Sequence, residues 1–326
     1  MSIPDVQFQQ VQTNGVSLRV ALKGDGPLCV LLHGWPELWL SWRHQIEPLA
    51  NAGYRVAVPD VRGYGGSDAP PEVEAYGMRT LAADVAGLVE ALGEESAILI
   101  GHDWGAPIAA HTALLHPERV RALVTMSVPH LGRSAPYPPT EVFKAMYPDR
   151  FFYILYFQRL DVPEAEFEQD IRSSLAKIYY ANSGDVTAEV RKAVRARTPK
   201  SGYLEGMVVP DPLPEWLTDE DLDIYAEAYA RSGFRGGINR YRNMDRDWHD
   251  LPELDDMKIE QPSMFLAGEH DSVLRYAVGM NLMDAMDPYY TDLRRKEIIP
   301  GAGHWVQQER PNDVNAAVLG FLRSLA

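Results

Sequence analysis

Six short apolar runs along the chain are bounded by turn residues: 28–32 (LCVLL), 54–58 (YRVAV), 97–100 (AILI), 122–128 (ALVTMSV), 264–267 (MFLA) and 296–299 (KEII). Uninterrupted, largely β-branched runs of this length predict strands buried on both faces. Between most of them the apolar spacing changes to three and four residues, over 42–52 and 81–92, which predicts amphipathic helices. Residues 106–115 are small and apolar and stop before Pro117, which predicts a third helix. Alternating strands and helices imply a mostly parallel sheet with helices on both faces, whose ligands bind beyond the carboxyl ends of the strands. The alternation stops after Val128 and resumes near Met264. Helical stretches at 140–158, 164–181 and 219–231, joined by loops containing Pro210, Pro212, Pro214, Gly233, Gly236 and Gly237, fill the interval. The expected organisation is a sheet core over 1–132 and 251–326, with a helical insertion over 133–250 following one strand.

The chain has 326 residues, 46% hydrophobic and 24% charged, with a net charge of −15. That acidity excludes a nucleic-acid or anionic-membrane binder, which would present a basic face. Nor does it favour acidic substrates, which it repels at long range. The one cysteine, Cys29, rules out an internal disulfide and a cysteine-based zinc site. No run of 18 apolar residues occurs and the first residues lack a secretory pattern, so a soluble protein of the reducing cytoplasm is expected. Ten of the 16 tyrosines fall between residues 131 and 250.

Three strand ends carry candidate chemistry. In Gly101-His102-Asp103-Trp104-Gly105 a strand turns into a helix between glycines, the pattern of an elbow that lifts a nucleophile to the sheet edge. Asp103 read alone fits a helix N-cap equally well. His33-Gly34-Trp35-Pro36-Glu37 follows another strand. Alone it is an ordinary turn, yet it could aim the Trp35 amide into a site, with that of Trp104 as the second donor of an oxyanion hole. The last strands end in Gly268-Glu269-His270-Asp271 and, through GAGHW, in His304. Nucleophile, acid and histidine then occur in the order of α/β-hydrolases, with His304 as base, Asp271 as its orienting acid and Glu269 as the weaker alternative. No metal-ligand spacing or phosphate-binding glycine loop is present, so neither a metal nor a cofactor is expected.

HGWPE (33–37), DVRGYGGSD (60–68), GHDWGA (101–106), GEHD (268–271), GAGHW (301–305) and, in the insertion, FFYILYFQ (151–158) and YRNMDRDW (241–248) together resemble the soluble epoxide hydrolase family of the α/β-hydrolase fold. The resemblance runs over about residues 10–325 and leaves no room for the upstream phosphatase-like domain of the mammalian soluble enzymes. It implies a helical cap, Asp103 as nucleophile, and Tyr153 and Tyr241 as ring-opening acids. Independently, a carboxylate nucleophile suits substitution at an sp³ carbon: it forms an ester that water can cleave, whereas serine would form an inert ether. An epoxide oxygen is a poor leaving group and needs a proton donor, and tyrosine, with an ordinary pKa of about 10, can serve. The expected substrate is a small apolar epoxide. The alternatives are a haloalkane-type dehalogenase using the same Asp103, and a non-catalytic ligand-binding protein on the same scaffold. Trp35 stands where dehalogenases often place Asn, and Trp104 where fluoroacetate dehalogenases carry Arg. Whether the chain forms a homodimer is not derivable from its sequence.

Overall fold

The computed structural model describes residues 6–132, 136–275 and 281–325. Eight strands form one sheet: β1 (Gln7–Thr13), β2 (Val16–Lys23), β3 (Leu28–Leu32), β4 (Arg55–Pro59), β5 (Ala97–His102), β6 (Val120–Met126), β7 (Ser263–Gly268) and β8 (Leu293–Ile299). Their order is β1-β2-β4-β3-β5-β6-β7-β8. All six expected strands are present, β3 with the expected ends. From β4 to β8 every pairing is parallel, while β1–β2 and β2–β4 are antiparallel.

The added pair β1–β2 was not among the expected strands. It is a hairpin turning on Asn14-Gly15, both at positive φ, the backbone a two-residue hairpin turn demands. As an edge strand, β1 buries only Val11 and Thr13, so it lacks the apolar run that marks an interior strand. β8, at the other edge, starts three residues before the apolar pattern does. Arg294 and Arg295 keep the pattern from starting earlier, and with Lys296 they blunt an exposed edge.

Helices α1 (Arg43–Asn51), α2 (Met78–Ala91) and α3 (Gly105–Leu115) lie between the first strands. Alternate residues of β5 feed opposite faces. Leu99 joins a core with Leu81 and Val85 of α2 and Ile108 of α3, whereas Ile98 and Ile100 join one with Ile46 and Leu49 of α1.

Eight helices separate β6 from β7, with no strand among the described residues: α4 (Pro139–Met146), α5 (Tyr153–Phe157), α6 (Val162–Phe167), α7 (Ile171–Asn182), α8 (Ala188–Arg195), α9 (Asp219–Ser232), α10 (Arg235–Arg242) and α11 (Met244–Asp250). The helix expected over 140–158 is two, α4 and α5. Pro148 ends the first by forcing Tyr147 out of helical geometry, at φ −126° and ψ 52°. The stretch 164–181 is likewise split, because Asp170 takes an N-cap position and accepts the Ser173 N–H. α9 opens with a reciprocal Thr218/Asp221 capping box. The expected boundary at 132/133 adjoins residues 133–135, outside the described residues. The chain ends in α12 (Leu282–Ala285), α13 (Val306–Glu309) and α14 (Pro311–Arg323), whose Val314, Val318 and Phe321 pack on the face that carries α1. No helix of the described residues is long and apolar enough to cross a membrane.

Candidate active site

β5 passes into α3 through Asp103, held at φ +49°, a left-handed conformation rare for residues other than glycine. The turn is tight. A Cβ on Gly105 would lie 1.9 Å from the Leu32 carbonyl oxygen, and one on Gly34 would lie 2.2 Å from Asp103 Oδ1. Only glycine fits at either position, so the two glycine motifs are matched to one another across β3 and β5. Asp103 is not the N-cap of α3. Trp104 takes that position without a side-chain bond to the helix, and the Asp103 carboxylate points elsewhere. The Trp35 N–H donates to Asp103 Oδ1 at 2.7 Å, and His304 Nε2 lies 3.3 Å from Oδ2.

His304 Nδ1 lies 3.1 Å from each carboxylate oxygen of Asp271. Glu269, the weaker candidate, faces away and accepts the Gly301 N–H. Asp271 is fully buried and also accepts the Val273 N–H. Burial opposes charge on His304, but Asp271 on one side and Asp103 on the other outweigh it and hold the imidazole well above its ordinary value. Asp103, His304 and Asp271, drawn from three strand ends, are thus contiguous.

Tyr153 opens α5 and Tyr241 lies near the end of α10. Their rings are 5.7 Å apart, and the Tyr241 ring is 5.0 Å from that of Trp104. Both tyrosines line one cavity of about 400 Å³ with Asp103, Trp35 and His304. Burial first, and the Asp103 charge second, push the Tyr241 hydroxyl well above its ordinary value, so it keeps its proton and can donate it in a hydrogen bond. The cavity lies among aromatic and aliphatic side chains, including Phe152, Ile178 and Met207. Among the described residues, no group of three His, Cys, Asp or Glu is placed to hold a metal ion.

Three contributors, one of them a pair of residues, escaped the motif reading. Tyr203, which lines the cavity, carries no spacing signal. His102 and Glu37 form a buried pair at 2.7 Å, and His102 Nε2 lies 2.7 Å from the His304 carbonyl. Burial opposes charge on Glu37, yet His102 and the Gly34 N–H outweigh it and hold the carboxyl at about 2. Both residues sit inside recognisable motifs, but nothing in one dimension marks them as partners.

The third is Glu309. Its carboxylate accepts N–H bonds from Gly303 and Trp305, the two neighbours of His304, and from Gly184 just beyond α7. The His304 N–H itself donates to Asn182 of α7 at 2.9 Å, and the Trp305 indole donates to the Tyr179 carbonyl at 2.8 Å. The loop carrying His304 is therefore bonded to the inserted helices as well as to the sheet. Burial pushes the Glu309 carboxyl up to about 7. A carboxyl raised on folding contributes stability below its unfolded value, about 4.3, and loses that contribution as pH rises through about 7. Glu309→Gln cannot ionise and presents an amide NH2 where an acceptor is needed. We expect a variant about 1–3 kcal/mol less stable than wild type at low pH. The deficit should shrink by about 2 kcal/mol between pH 5 and 8, as read from urea midpoints. A deficit independent of pH would show that Glu309 does not titrate in this range.

A family model described as the alpha/beta hydrolase fold matches residues 27–311. The chain is 43% identical over 319 residues to "Epoxide hydrolase A" of Mycobacterium tuberculosis, covering 97% of each. Among solved structures it is similar to an epoxide hydrolase from an endophytic Streptomyces, with a TM-score of 0.94 and 41% identity over 99% of this chain and 97% of that one. It is similar also to Epoxide Hydrolase A from Mycobacterium thermoresistibile, with a TM-score of 0.89 and 44% identity over 98% of both chains.

Proposed function

The chain belongs to the epoxide hydrolases of the α/β-hydrolase fold, and from that membership we propose a role for each residue of the site. Asp103 attacks the less hindered or more electrophilic epoxide carbon from behind and forms an ester. Tyr153 and Tyr241 hydrogen-bond the epoxide oxygen and supply the proton that turns the departing alkoxide into a hydroxyl. His304, oriented by Asp271, then takes a proton from water, and the hydroxide attacks the carbonyl of the Asp103 ester. The Trp35 and Trp104 amides hold the oxyanion until it collapses: the bond from the carbonyl carbon to the alkyl oxygen breaks, that oxygen takes the proton from His304, and the acid proton left on Asp103 recharges His304 as the vicinal diol leaves. The scheme uses side chains and backbone alone.

The observation that carries this reading is the Asp103 carboxylate, bonded by the Trp35 N–H and faced by His304 Nε2, in a cavity also lined by Tyr153 and Tyr241. The electrostatics support the order of the steps. Before attack, two carboxylates keep His304 charged and useless as a base. Forming the ester removes the Asp103 charge and one of the two supports for the imidazolium. The proton affinity of His304 falls as the intermediate that needs a base is made, and its proton passes to the tyrosinate left by ring opening.

The proposed substrate is a small apolar epoxide, in keeping with the aromatic and aliphatic wall. A cytoplasmic location is part of the reading, supported by the lone cysteine, Cys29, which is buried in the sheet. The two tyrosines separate this function from haloalkane dehalogenation, which expels a stable anion and needs no acid. Tyr153→Phe/Tyr241→Phe should lower diol formation from styrene oxide by about 10³-fold. Chromatography of the diol, alongside a halide assay with 1-bromobutane, measures this. Full activity of the double variant together with halide release would establish a dehalogenase instead.

A further inference from the structure

β6 lies between β5 and β7 in the sheet, so its carboxyl end reaches the site between the strands that lead to Asp103 and to Asp271. It supplies no residue to the scheme proposed for the site, yet its end is unusual. Ser127, the residue after the strand, is fully buried and held at φ +68°. Across it the Val128 N–H donates to the Met126 carbonyl at 2.8 Å, a three-residue turn of the rare kind whose middle residue is strained. The Ser127 N–H donates to the Leu266 carbonyl at 2.9 Å, which ties the turn to the strand that runs on to Asp271. Glycine would adopt this backbone at no steric cost. Strain kept at a buried position points to a task for the side chain.

The hydroxyl meets both members of the base pair. Ser127 Oγ donates to the His304 carbonyl at 3.1 Å, the oxygen that also lies 2.7 Å from His102 Nε2. It reaches the Asp271 carboxylate as well. Burial opposes charge on Asp271, but His304, the Val273 N–H and the Ser127 hydroxyl outweigh it and hold the carboxyl below its ordinary value. A hydroxyl has one proton and serves one acceptor at a time. While His304 is charged, the imidazolium matches the Asp271 charge. Once His304 has given up its proton that match is weaker, and the carboxylate draws the hydroxyl most strongly in the state in which His304 acts as base.

We propose that Ser127 is a positioning residue for the second half-reaction: its hydroxyl fastens the His304 backbone and turns to the Asp271 carboxylate when His304 is neutral. This rests on the roles proposed for His304 and Asp271. A donor on the carboxylate disperses its charge and weakens its hold on the His304 proton, so His304 is ready to act as base at a lower pH than it would be without Ser127. Ser127 does not line the cavity, so ester formation does not depend on it. The ionisable groups around the pair are Asp103 and His102 at the end of β5, Glu37 in the turn after β3, Glu309 of α13, and Glu269 and His270 just before Asp271. All of them are retained when only Ser127 is changed.

Rapid mixing of excess protein with styrene oxide, sampled for bonded mass and for diol, separates the two half-reactions. Ser127→Ala removes the hydroxyl and keeps the strained turn, whereas Ser127→Gly removes both. Each variant should form the ester at the wild-type rate and hydrolyse it about tenfold more slowly at ~pH 7. The rise of the hydrolysis rate with pH should move upward by about one unit in both. The urea midpoint of the glycine variant should exceed that of the alanine variant, which separates stability from rate. If alanine does not fold, the pH profile of the glycine variant decides the matter. Hydrolysis at the wild-type rate and with the wild-type pH dependence would overturn the role. So would recovery by glycine of the rate that alanine loses, since the defect would then follow stability, and so would an equal loss in both half-reactions with no movement of the pH profile. If wild type forms no ester, the roles of His304 and Asp271 fail instead, a result distinct from ester that both variants form and hydrolyse normally.

Discussion

Replacing His304 by glutamine is expected to stop the protein halfway, with one molecule of substrate bonded to Asp103. Glutamine keeps much of the shape of the imidazole but cannot take a proton from water, so ester formation proceeds and hydrolysis does not. Steady-state diol production should fall by about 10⁴-fold. Intact-mass spectrometry after exposure to styrene oxide should find protein heavier by one substrate, with peptide mapping placing the mass in 97–106. The adduct is informative because the imidazole touches both carboxylates. A base acting on the epoxide directly would leave no bonded intermediate in its absence. Unmodified protein with substrate demonstrably bound would rule out the two-step route.

Asp103→Asn should remove both half-reactions, lowering turnover by about 10⁴-fold or more and leaving no adduct, alone or combined with the His304 change. Asparagine tolerates the left-handed backbone at this position, so the loss belongs to the missing carboxylate rather than to a collapsed turn. The substitution also leaves His304 with one flanking charge. His304 is held above its ordinary value of about 6.5, so its ion pairs contribute stability below that pH and lose it as pH rises through the folded value. The urea midpoint of Asp103→Asn should therefore trail wild type further near ~pH 6 than near ~pH 9. A gap that widens toward alkaline pH would mean that His304 is not charged beside Asp103.

Most of the core could be read along the chain because each interior strand lies between two layers of side chains and so presents an unbroken apolar run. β1 could not, since a strand with one wet face and one free edge buries two side chains in seven. In the insertion, periodicity located helical segments but not their breaks: Pro148 and Asp170 interrupt patterns that otherwise continue. Local geometry carried the candidate site. The Gly34 and Gly105 contacts with Asp103 and Leu32 are steric demands that leave their mark as fixed residue types. Interactions between distant positions leave none. Asp103 reads in one dimension as cap or nucleophile, whereas in the fold its carboxylate takes the Trp35 N–H and Trp104 holds the N-cap position. Glu309 acquires meaning only when segments over a hundred residues apart converge.

The bonds that run from Tyr179, Asn182 and Gly184 to the stretch 303–309 bear on how such proteins can be recombined. Grafting the inserted helices of a relative onto this sheet, to borrow its substrate range, would transplant half of the scaffolding of His304. A graft that shifted the end of α7 by one residue would misalign those carbonyls and the Gly184 amide, while Asp103, held by β3 and β5, would be untouched. On the proposed mechanism, such a chimera would still form the Asp103 ester but would release product slowly. Compatible grafts have to be chosen by the register at the end of α7 as much as by the shape of the cavity wall.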